Sequence, residues 1–262
     1  DEETISNILD TDEQSRIEHE DDYKVIIVRF PIINRETDTV WHTEPLSIIY
    51  SDKRVITVCR KRCDILDKIK PIEKSSKETF IINIMYYIAE SYLRFLKQLN
   101  KKVFDSKKAL QEKIRKKEMM DLLEVENSYT LYMDGLKGNL SVMDKLEKMR
   151  GLVKDEENQD LSEDVRIELN QAIEVVTSYT KMLASIKETF ESVINMDSNM
   201  YINRLTMWNI ILIAPTIVVG YYGMNLNLPF GNSKNAAFII FVMIMLLLVG
   251  YGVFAAVRRK NI

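Results

Sequence analysis

Side chains with neutral oxygen atoms recur among aliphatic ones near the C-terminal end of the chain. Counted back from Asn225, they are Thr216, Ile213, Asn209, Leu205, Ile202 and Asn199, and from Thr216 onward the intervals are the three and four residues typical of a helix. Amide and hydroxyl oxygens accept hydrogen bonds from the water around a cation, and aliphatic constrictions between them can gate a pore by dewetting. The same pattern is explained by Asn209 and Thr216 hydrogen-bonding to a neighbouring helix. The pattern alone leaves both interpretations open.

No acidic side chain lies between Asn199 and Asn235. A cation that passes along this segment is therefore held by neutral oxygens. Such oxygens do not easily replace the tightly bound water of a small divalent ion, and Mg²⁺ dehydrates reluctantly. A ring of Asn225 side chains with nearby backbone carbonyls would therefore bind a hydrated ion.

Two apolar segments, 205–224 and 236–257, position these residues. The first has 20 residues, which at about 1.5 Å per residue cover about 30 Å, the thickness of a bilayer core. The only charged residue from 205 to 257 is Lys234. We therefore predict a membrane-bound chain with two helical crossings joined by an outer loop, 225–235. This composition excludes an ordinary cytosolic or secreted enzyme.

The basic residues that flank the two segments predict their orientation. Arg204 precedes the first segment and Arg258, Arg259 and Lys260 follow the second, whereas the loop holds Lys234 alone. Basic residues are retained on the cytoplasmic side, so we expect both chain termini to face the cytoplasm. One helical hairpin is too small to enclose a conduction path. Transport therefore requires several copies around an axis, with the more polar first span facing that axis.

The N-terminal part combines short β-rich stretches with long helices, which is an α+β pattern. Residues 1–22 hold ten acidic side chains and one arginine, a composition that resists packing. The β-rich stretches 23–30, 46–50 and 55–59, limited by Pro31 and Pro45, predict a small mixed sheet. Because the chain begins at Asp1 rather than at a methionine, we also expect an N-terminal segment to precede it.

One long helix is predicted to lead into the first span. Apolar residues at heptad spacing run without a break from Val165 to Val193, which predicts a stripe buried against partner helices of the same chain or of other copies. With a start at Ser162 and no proline before the span, one helix covers 162–224, about 95 Å at 1.5 Å per residue.

Two further groups are given ordinary interpretations. The basic run 101–117 is typical of a solvated helix face, and no nucleic-acid partner is expected for an acidic chain with two spans. Cys59 and Cys63, the only cysteines, are interpreted as reduced thiols, because His19 and His42 alone cannot complete a zinc site with them.

The residues Tyr222-Gly223-Met224-Asn225, at the outer end of the first of two C-terminal spans, resemble the YGMN motif of the CorA magnesium transporter family. The preceding Pro215-Thr216 and Gly220, the short loop, the basic tail and the long helix strengthen this resemblance. Residues 43–49, which read Thr-Glu-Pro-Leu-Ser-Ile-Ile, are similar to a phrase in the N-terminal domain of that family. The resemblance covers nearly the whole chain.

The resemblance implies a homopentamer with a cytosolic α/β funnel and a stalk helix that continues into the pore-lining first span. Gly223, Met224 and Asn225 would form the ion-selecting element at the outer mouth. The family's pore-lining positions fall here on Asn199, Ile202, Leu205, Ile213 and Thr216. Asp164 matches a stalk carboxylate that takes part in a regulatory Mg²⁺ site between subunits. The alternative for Asp164 is an acidic residue in the first helical turn, where the helix dipole favours it.

The predicted division of the chain follows from these assignments. Residues 1–161 form the cytosolic funnel, with its helical part at about 76–150; 162–204 form the stalk, 205–224 and 236–257 the membrane helices, and 258–262 a cytosolic tail. The loop lacks the acidic residue that many bacterial members carry after the motif. The membrane potential must then drive entry, at roughly 4.6 kcal/mol for a divalent ion at 100 mV.

We therefore predict a homopentameric Mg²⁺ channel of the cell membrane that takes up the hydrated ion passively and closes when cytosolic Mg²⁺ binds. Mg²⁺ is both the cargo and the regulatory ligand, and no organic cofactor or catalytic site is expected, because no nucleophile or base constellation is present. Two alternatives stay open: a relative that moves Zn²⁺, Co²⁺ or Ni²⁺, and a non-conducting, membrane-tethered coiled-coil scaffold or sensor.

Overall fold

The computed structural model describes residues 13–34, 40–69, 76–112, 116–149, 153 and 155–224, and the pairs 238–239, 242–243, 246–247 and 250–251. The chain divides into two compact units, Asp1–Lys187 and Glu188–Ile262. The first unit contains strands β1 (Arg16–His19), β2 (Lys24–Asn34), β3 (Val40–Tyr50) and β4 (Val55–Cys59), a short 3₁₀ helix (Leu66–Lys68), and helices α1 (Lys77–Glu112) and α2 (Lys116–Lys148). Helix α3 (Glu156–Tyr222) begins in the first unit and ends in the second.

The four strands form one sheet in the order β1-β2-β3-β4, and all neighbouring strands are antiparallel. The predicted mixed sheet is therefore wrong. Consecutive strands are joined by short connections, which can link only antiparallel neighbours. Strand β1 lies inside the acidic N-terminal segment, whose composition predicts no packing. This part of the segment nevertheless packs, because its Ile17 pairs with Ile26 of the buried β2.

Pro31 and Pro45 lie inside β2 and β3 and do not limit these strands as predicted. Strand β1 pairs with β2 only as far as Ile27, and β4 pairs with β3 only as far as Leu46. Both prolines therefore lie on stretches with a single neighbouring strand. A missing N–H that points to the open side of such a stretch removes no ladder hydrogen bond.

Helix α2 approaches the sheet through two glycines. A Cβ atom on Gly135 would collide with the hydroxyl of Tyr92 on α1 and lie 3.5 Å from Arg29 Cβ on β2. A Cβ atom on Gly138 would lie only 2.9 Å from Ser15 Cβ. Without these side chains, the α2 backbone comes close enough to β2 for the next residue, Asn139, to reach its main chain.

The fully buried side chain of Asn139 continues the hydrogen bonding of β2 beyond the end of β1. Its Oδ1 accepts a hydrogen bond from the Arg29 N–H at 2.9 Å, and its Nδ2 donates to the Arg29 carbonyl at 2.7 Å. The Ser15 hydroxyl also donates to Oδ1 at 2.9 Å, and the Tyr92 hydroxyl donates to the Arg29 carbonyl at 3.2 Å. The amide thus occupies the position of a neighbouring strand.

The predicted heptad stripe of α3 is buried within the first unit by helices of the same chain. Its members Val165, Leu169, Ala172, Val176, Leu183 and Ile186 are at most 6% exposed, whereas Val193, the last residue of the predicted stripe, lies in the second unit and is 39% exposed. The rings of Tyr129 on α2 and Tyr179 on α3 have centroids 6.2 Å apart. Ser162 donates to Glu147 at 2.7 Å, and Lys187 donates to Glu126 at 2.6 Å. These two contacts show that α2 and α3 run antiparallel.

In the second unit, α3 continues through Pro215 and ends at Tyr222. The single long helix predicted over 162–224 is confirmed, with its start moved back to Glu156. Within the described parts of the chain, no helix has the length and apolar character needed to cross a membrane. The first predicted span, 205–224, is described and helical up to Tyr222, and most of the second, 236–257, lies outside the described residues. Both crossings stay predictions.

Candidate functional site

The predicted stripe of oxygen-bearing and aliphatic residues lies on α3. Its members Asn199, Ile202, Leu205, Asn209, Ile213 and Thr216 are all exposed. At 3.6 residues per turn they fall within an arc of roughly 120° of the helix surface. Thr206 and Gly220, which the predicted stripe does not include, fall on the same arc. Helical periodicity, applied to every residue of the segment, is the signal that finds them.

The two threonine hydroxyls on this face are oriented by the helix itself. Thr206 donates to the Ile202 carbonyl at 2.9 Å, and Thr216 donates to the Leu212 carbonyl at 2.8 Å. A hydroxyl has one hydrogen to donate and two lone pairs. Each oxygen therefore keeps only its capacity to accept hydrogen bonds. An oxygen of this kind suits the water molecules around a cation, whose hydrogens point outward.

Gly223 forms the turn at the end of α3. Its N–H donates to the Val219 carbonyl at 2.9 Å, and an added Cβ would lie 3.1 Å from the same carbonyl oxygen. A glycine here lets the chain leave the helix close to its last carbonyl groups. Met224 follows and is 52% exposed. Asn225, with the rest of the loop 225–235, lies outside the described residues, so the described stripe ends at Thr216.

Asp164 lies on the exposed surface of α3, in the first unit. Because α3 begins at Glu156 rather than at Ser162, Asp164 lies beyond the second helical turn. The dipole of a helix stabilises acidic residues only within its first turn, where Glu156 and Glu157 lie. The first-turn explanation for Asp164 is therefore wrong. Ser162 is not the cap of α3 but a buried residue within it.

Three carboxylates gather around Tyr86 of α1. Burial raises the pKa of Tyr86, and the negative charges of Glu168, Glu90 and Asp164 raise it further. Asp164 and Glu168 belong to α3, whereas Glu90 belongs to α1. Across the described ranges, no three or more histidine, cysteine or acidic side chains are grouped so that they could hold a metal ion. A cation held by Asp164 would therefore need further ligands from elsewhere.

A buried ionic cluster around Glu44 on β3 was missed by the sequence reasoning. Glu44 is 2% exposed and lies 3.1 Å from Lys61 Nζ, 3.1 Å from His42 Nε2 and 3.2 Å from a guanidinium nitrogen of Arg60. Burial raises the pKa of Glu44, but the hydrogen bonds from Lys61, His42 and Arg60 outweigh it and hold that pKa below its ordinary value. The cluster fastens the segment after β4 to the sheet. The sequence held two signals for this cluster: an acidic residue, Glu44, within the apolar strand β3, and the basic residues Arg60 and Lys61 directly after strand β4.

Both cysteines are free thiols. Burial raises the pKa of the Cys63 thiol to about 11. Burial also raises the pKa of Cys59, which is partly exposed at the end of β4. At neutral pH both sulfur atoms are therefore protonated.

The model of one protein family, described as CorA-like Mg²⁺ transporter protein, matches residues 1–259 of the chain. The matched region includes the stripe on α3, the Gly223-Met224-Asn225 motif and Asp164. The chain belongs to the CorA family. It is thus a divalent-cation transporter rather than an enzyme, and the predicted resemblance to the CorA family is confirmed.

A curated relative is the cobalt/magnesium transport protein CorA of Methanocaldococcus jannaschii. The two sequences are 20% identical over 263 residues, which cover 97% of this chain and 81% of the relative.

Several solved structures share the fold. The complete structure of the CorA magnesium transporter from Methanocaldococcus jannaschii matches with a TM-score of 0.81 at 21% identity, over 95% of this chain and 81% of that one. The full-length CmaX protein matches with a TM-score of 0.69 at 14% identity, over 98% and 81%. The ZntB cytoplasmic domain from Vibrio parahaemolyticus matches with a TM-score of 0.59 at 11% identity, over 76% and 80%. At these identities the likeness concerns the fold alone.

Proposed function

We propose that the chain is one subunit of a Mg²⁺ channel that lets the hydrated ion enter the cell passively. The exposed face of α3 carries this proposal. Acceptor-only hydroxyls at Thr206 and Thr216 alternate there with the aliphatic side chains of Ile202 and Ile213. This arrangement offers hydration sites separated by hydrophobic constrictions, which is the design of a pore that closes by dewetting.

Several copies of the chain are needed to enclose such a path. In a single chain Ile202 is 56% exposed, Leu205 64% and Ile213 54%, so this face has no partner among the described residues. We propose that five copies surround one axis and turn these faces inward. Closed rotational symmetry of this kind presents the same side chain five times at each level of the path.

The proposed topology places 205–224 and 236–257 across the cell membrane, with both termini in the cytoplasm. The basic residues Arg204, Arg258, Arg259 and Lys260 support this orientation. Residues 1–204 then form the cytosolic part, in which 162–204 serve as the stalk. The loop 225–235 faces the outside.

Selection and gating are assigned to the two ends of α3. Gly223, Met224 and Asn225 form the proposed outer mouth, where amide and backbone oxygens hold the ion through its own water. Asp164 is the proposed cytosolic sensor, whose further ligands come from a neighbouring subunit. Mg²⁺ bound there would hold the path closed, and its loss at low cytosolic Mg²⁺ would release it.

Co²⁺ is a second candidate cargo, because the Methanocaldococcus jannaschii relative is named as a cobalt/magnesium transport protein. A path without carboxylates contacts the water shell and not the metal. Such a path discriminates poorly between divalent ions that carry similar shells.

Uptake into proteoliposomes under an imposed membrane potential tests this proposal. Mg²⁺, Co²⁺ and Zn²⁺ are offered separately to the wild type, to Asn225→Ala and to Asn227→Ala, a matched control in the same loop. We expect Mg²⁺ uptake by the wild type and the control, and its loss or lowered selectivity in Asn225→Ala. Equal uptake by all three proteins removes Asn225 from selection. No uptake of any ion favours the scaffold or sensor.

A further inference from the structure

The hairpin formed by α1 and α2 has a strongly basic end. Residues 101–112 and 116–120 contain six basic side chains and three acidic ones. Lys101 and Lys108 on α1 and Lys117 on α2 are exposed in the described part of this end. We refer to residues 101–112 and 116–120 as the hairpin tip.

Two large apolar side chains are exposed among the lysines of the hairpin tip. Phe104 and Met120 are each 50% exposed. Lys101, Phe104 and Lys108 are spaced three and four residues apart and therefore share one face of α1. An aromatic ring flanked by lysines is typical of segments that lie at a membrane surface. A face that only meets water gains nothing from an exposed phenyl ring.

The hairpin tip lies at the end of the first unit from which the chain continues to the first predicted span. Lys187, the last residue of that unit, contacts Glu126, ten residues after the start of α2. Ser162 contacts Glu147 at the opposite end of α2. In the sequence, the apolar segment starts at Leu205, 18 residues after Lys187.

Three exposed lysines of the hairpin tip keep their charge unneutralised within the described structure. Within the described ranges, Lys102 bridges Asp121 and Glu124 at 3.5 and 3.3 Å, whereas no ion pair is formed by Lys101, Lys108 or Lys117. The C-terminal tail, with Arg258, Arg259 and Lys260, has the same sign of charge and so does not serve. Anionic lipid headgroups attract a cluster of four to eight basic residues that lies within a Debye length of the membrane.

We propose that the hairpin tip binds anionic lipid headgroups on the cytoplasmic face of the membrane. Lys101, Lys108 and Lys117 meet the phosphates, and Phe104 lies at the boundary with the acyl chains. This inference rests on the proposed membrane spans 205–224 and 236–257, because only these spans bring the first unit near a bilayer. It adds a second, electrostatic attachment of the cytosolic part to the membrane.

Fluorescence quenching in proteoliposomes of the full chain tests the proposal. In a background with Cys59→Ser and Cys63→Ser, a fluorophore is attached after Asp105→Cys at the hairpin tip. Asp144→Cys, exposed near the far end of α2, provides the control position. The quencher is a nitroxide on the lipid headgroup, in phosphatidylcholine vesicles with or without phosphatidylglycerol. We expect quenching at position 105 to be at least about twofold stronger with phosphatidylglycerol, and to fall with added salt.

Charge variants separate lipid binding from general damage. Lys101→Glu/Lys108→Glu/Lys117→Glu should lose the extra quenching, whereas the exposed set Lys53→Glu/Lys145→Glu/Lys148→Glu should keep it. Equal quenching at positions 105 and 144, or quenching unaffected by phosphatidylglycerol and salt, overturns the proposal even if the variants fail to fold. Mg²⁺ uptake is measured on the same vesicles. Uptake without tip quenching rejects only the lipid contact, and quenching without uptake rejects only the channel.

Discussion

The side-chain amide of Asn139 on α2 pairs with both the N–H and the carbonyl of Arg29 on β2, at 2.9 and 2.7 Å. One helical residue thereby satisfies the main chain of a strand where its neighbour β1 has ended. The contact fixes the position of α2 against the sheet. Because α2 also packs along α3, it links the sheet to the helix that carries Asp164.

We expect Asn139→Ala to destabilise the first unit by about 1–3 kcal/mol, the cost of a buried polar group left without a partner. The Arg29 N–H loses its acceptor, whereas the Arg29 carbonyl keeps the Tyr92 hydroxyl. Urea unfolding followed by circular dichroism measures the change. Asn170→Ala is the matched control, because its amide is exposed and bonds only to the Arg166 carbonyl in its own helix. Equal stability of the two variants contradicts this prediction.

Gly135→Ala is expected to lower the unfolding free energy by roughly 1–3 kcal/mol, because the new methyl group meets the Tyr92 hydroxyl. The second substitution Tyr92→Phe removes that oxygen and should restore part of the loss. A double-mutant cycle on unfolding free energies measures the coupling of the two sites. Additive effects would show that the close approach of α2 to Tyr92 does not limit residue 135.

The Glu44 cluster predicts a dependence of stability on acidic pH. The pKa of Glu44 in the folded chain is held below its ordinary value. The stability it contributes is therefore complete above the unfolded pKa, about 4.3, and is lost as the pH falls from there through the folded pKa. Thermal unfolding should show a shallower loss for Glu44→Gln than for the wild type in this range. Glu20→Gln, at an exposed position, should retain the wild-type slope.

Thr216→Val is expected to reduce the rate of Mg²⁺ uptake about fivefold or more, because each copy loses a hydrogen-bond acceptor worth roughly 1 kcal/mol. Thr180→Val is the matched control. Its hydroxyl donates to the Val176 carbonyl in the same way, but it lies in the first unit, before the predicted span. Proteoliposome uptake measures both. If both variants conduct at the wild-type rate, Thr216 has only a structural role on α3.

Asp164→Ala should raise the Mg²⁺ concentration needed to protect the full chain from limited proteolysis. The proposed sensor loses a carboxylate, so the ion binds less tightly there. Glu163→Ala is the control, because it removes the same charge from the neighbouring exposed position. Superimposable protection curves for the two variants would remove Asp164 from the sensor.

The long-range periodicity of α3 was readable from the sequence because one rule governs it over many turns. Residues from Val165 to Ile186 repeat at heptad spacing and are buried as predicted, whereas Val193 at the end of the predicted stripe is exposed. The same arithmetic places Asn199 to Thr216 on one face. The start of the helix was harder to predict from the sequence. Ser162 is a residue type that often caps a helix, but Asn158, one turn earlier, already lies buried within α3.

The details of the sheet depend on contacts between distant residues, which local pattern does not encode. Pro31 is compatible with β2 only because β1 begins at Arg16. Arg16 pairs with Ile27, so β1 does not extend alongside Pro31. The pairing of Asn139 with Arg29 joins positions 110 residues apart. Glu44 likewise requires Lys61 to lie beside it. The direction of strand pairing, the ends of strands and the buried polar contacts were for this reason not predicted.

The protonated state of Cys59 and Cys63 has a consequence for the metals that such a transporter admits. Soft divalent ions bind the thiolate and not the thiol. With the pKa of Cys63 raised to about 11 and that of Cys59 raised as well, thiolate is scarce at neutral pH. An incoming Co²⁺ or Zn²⁺ ion would have to displace a thiol proton to bind at this pair, which weakens its binding there.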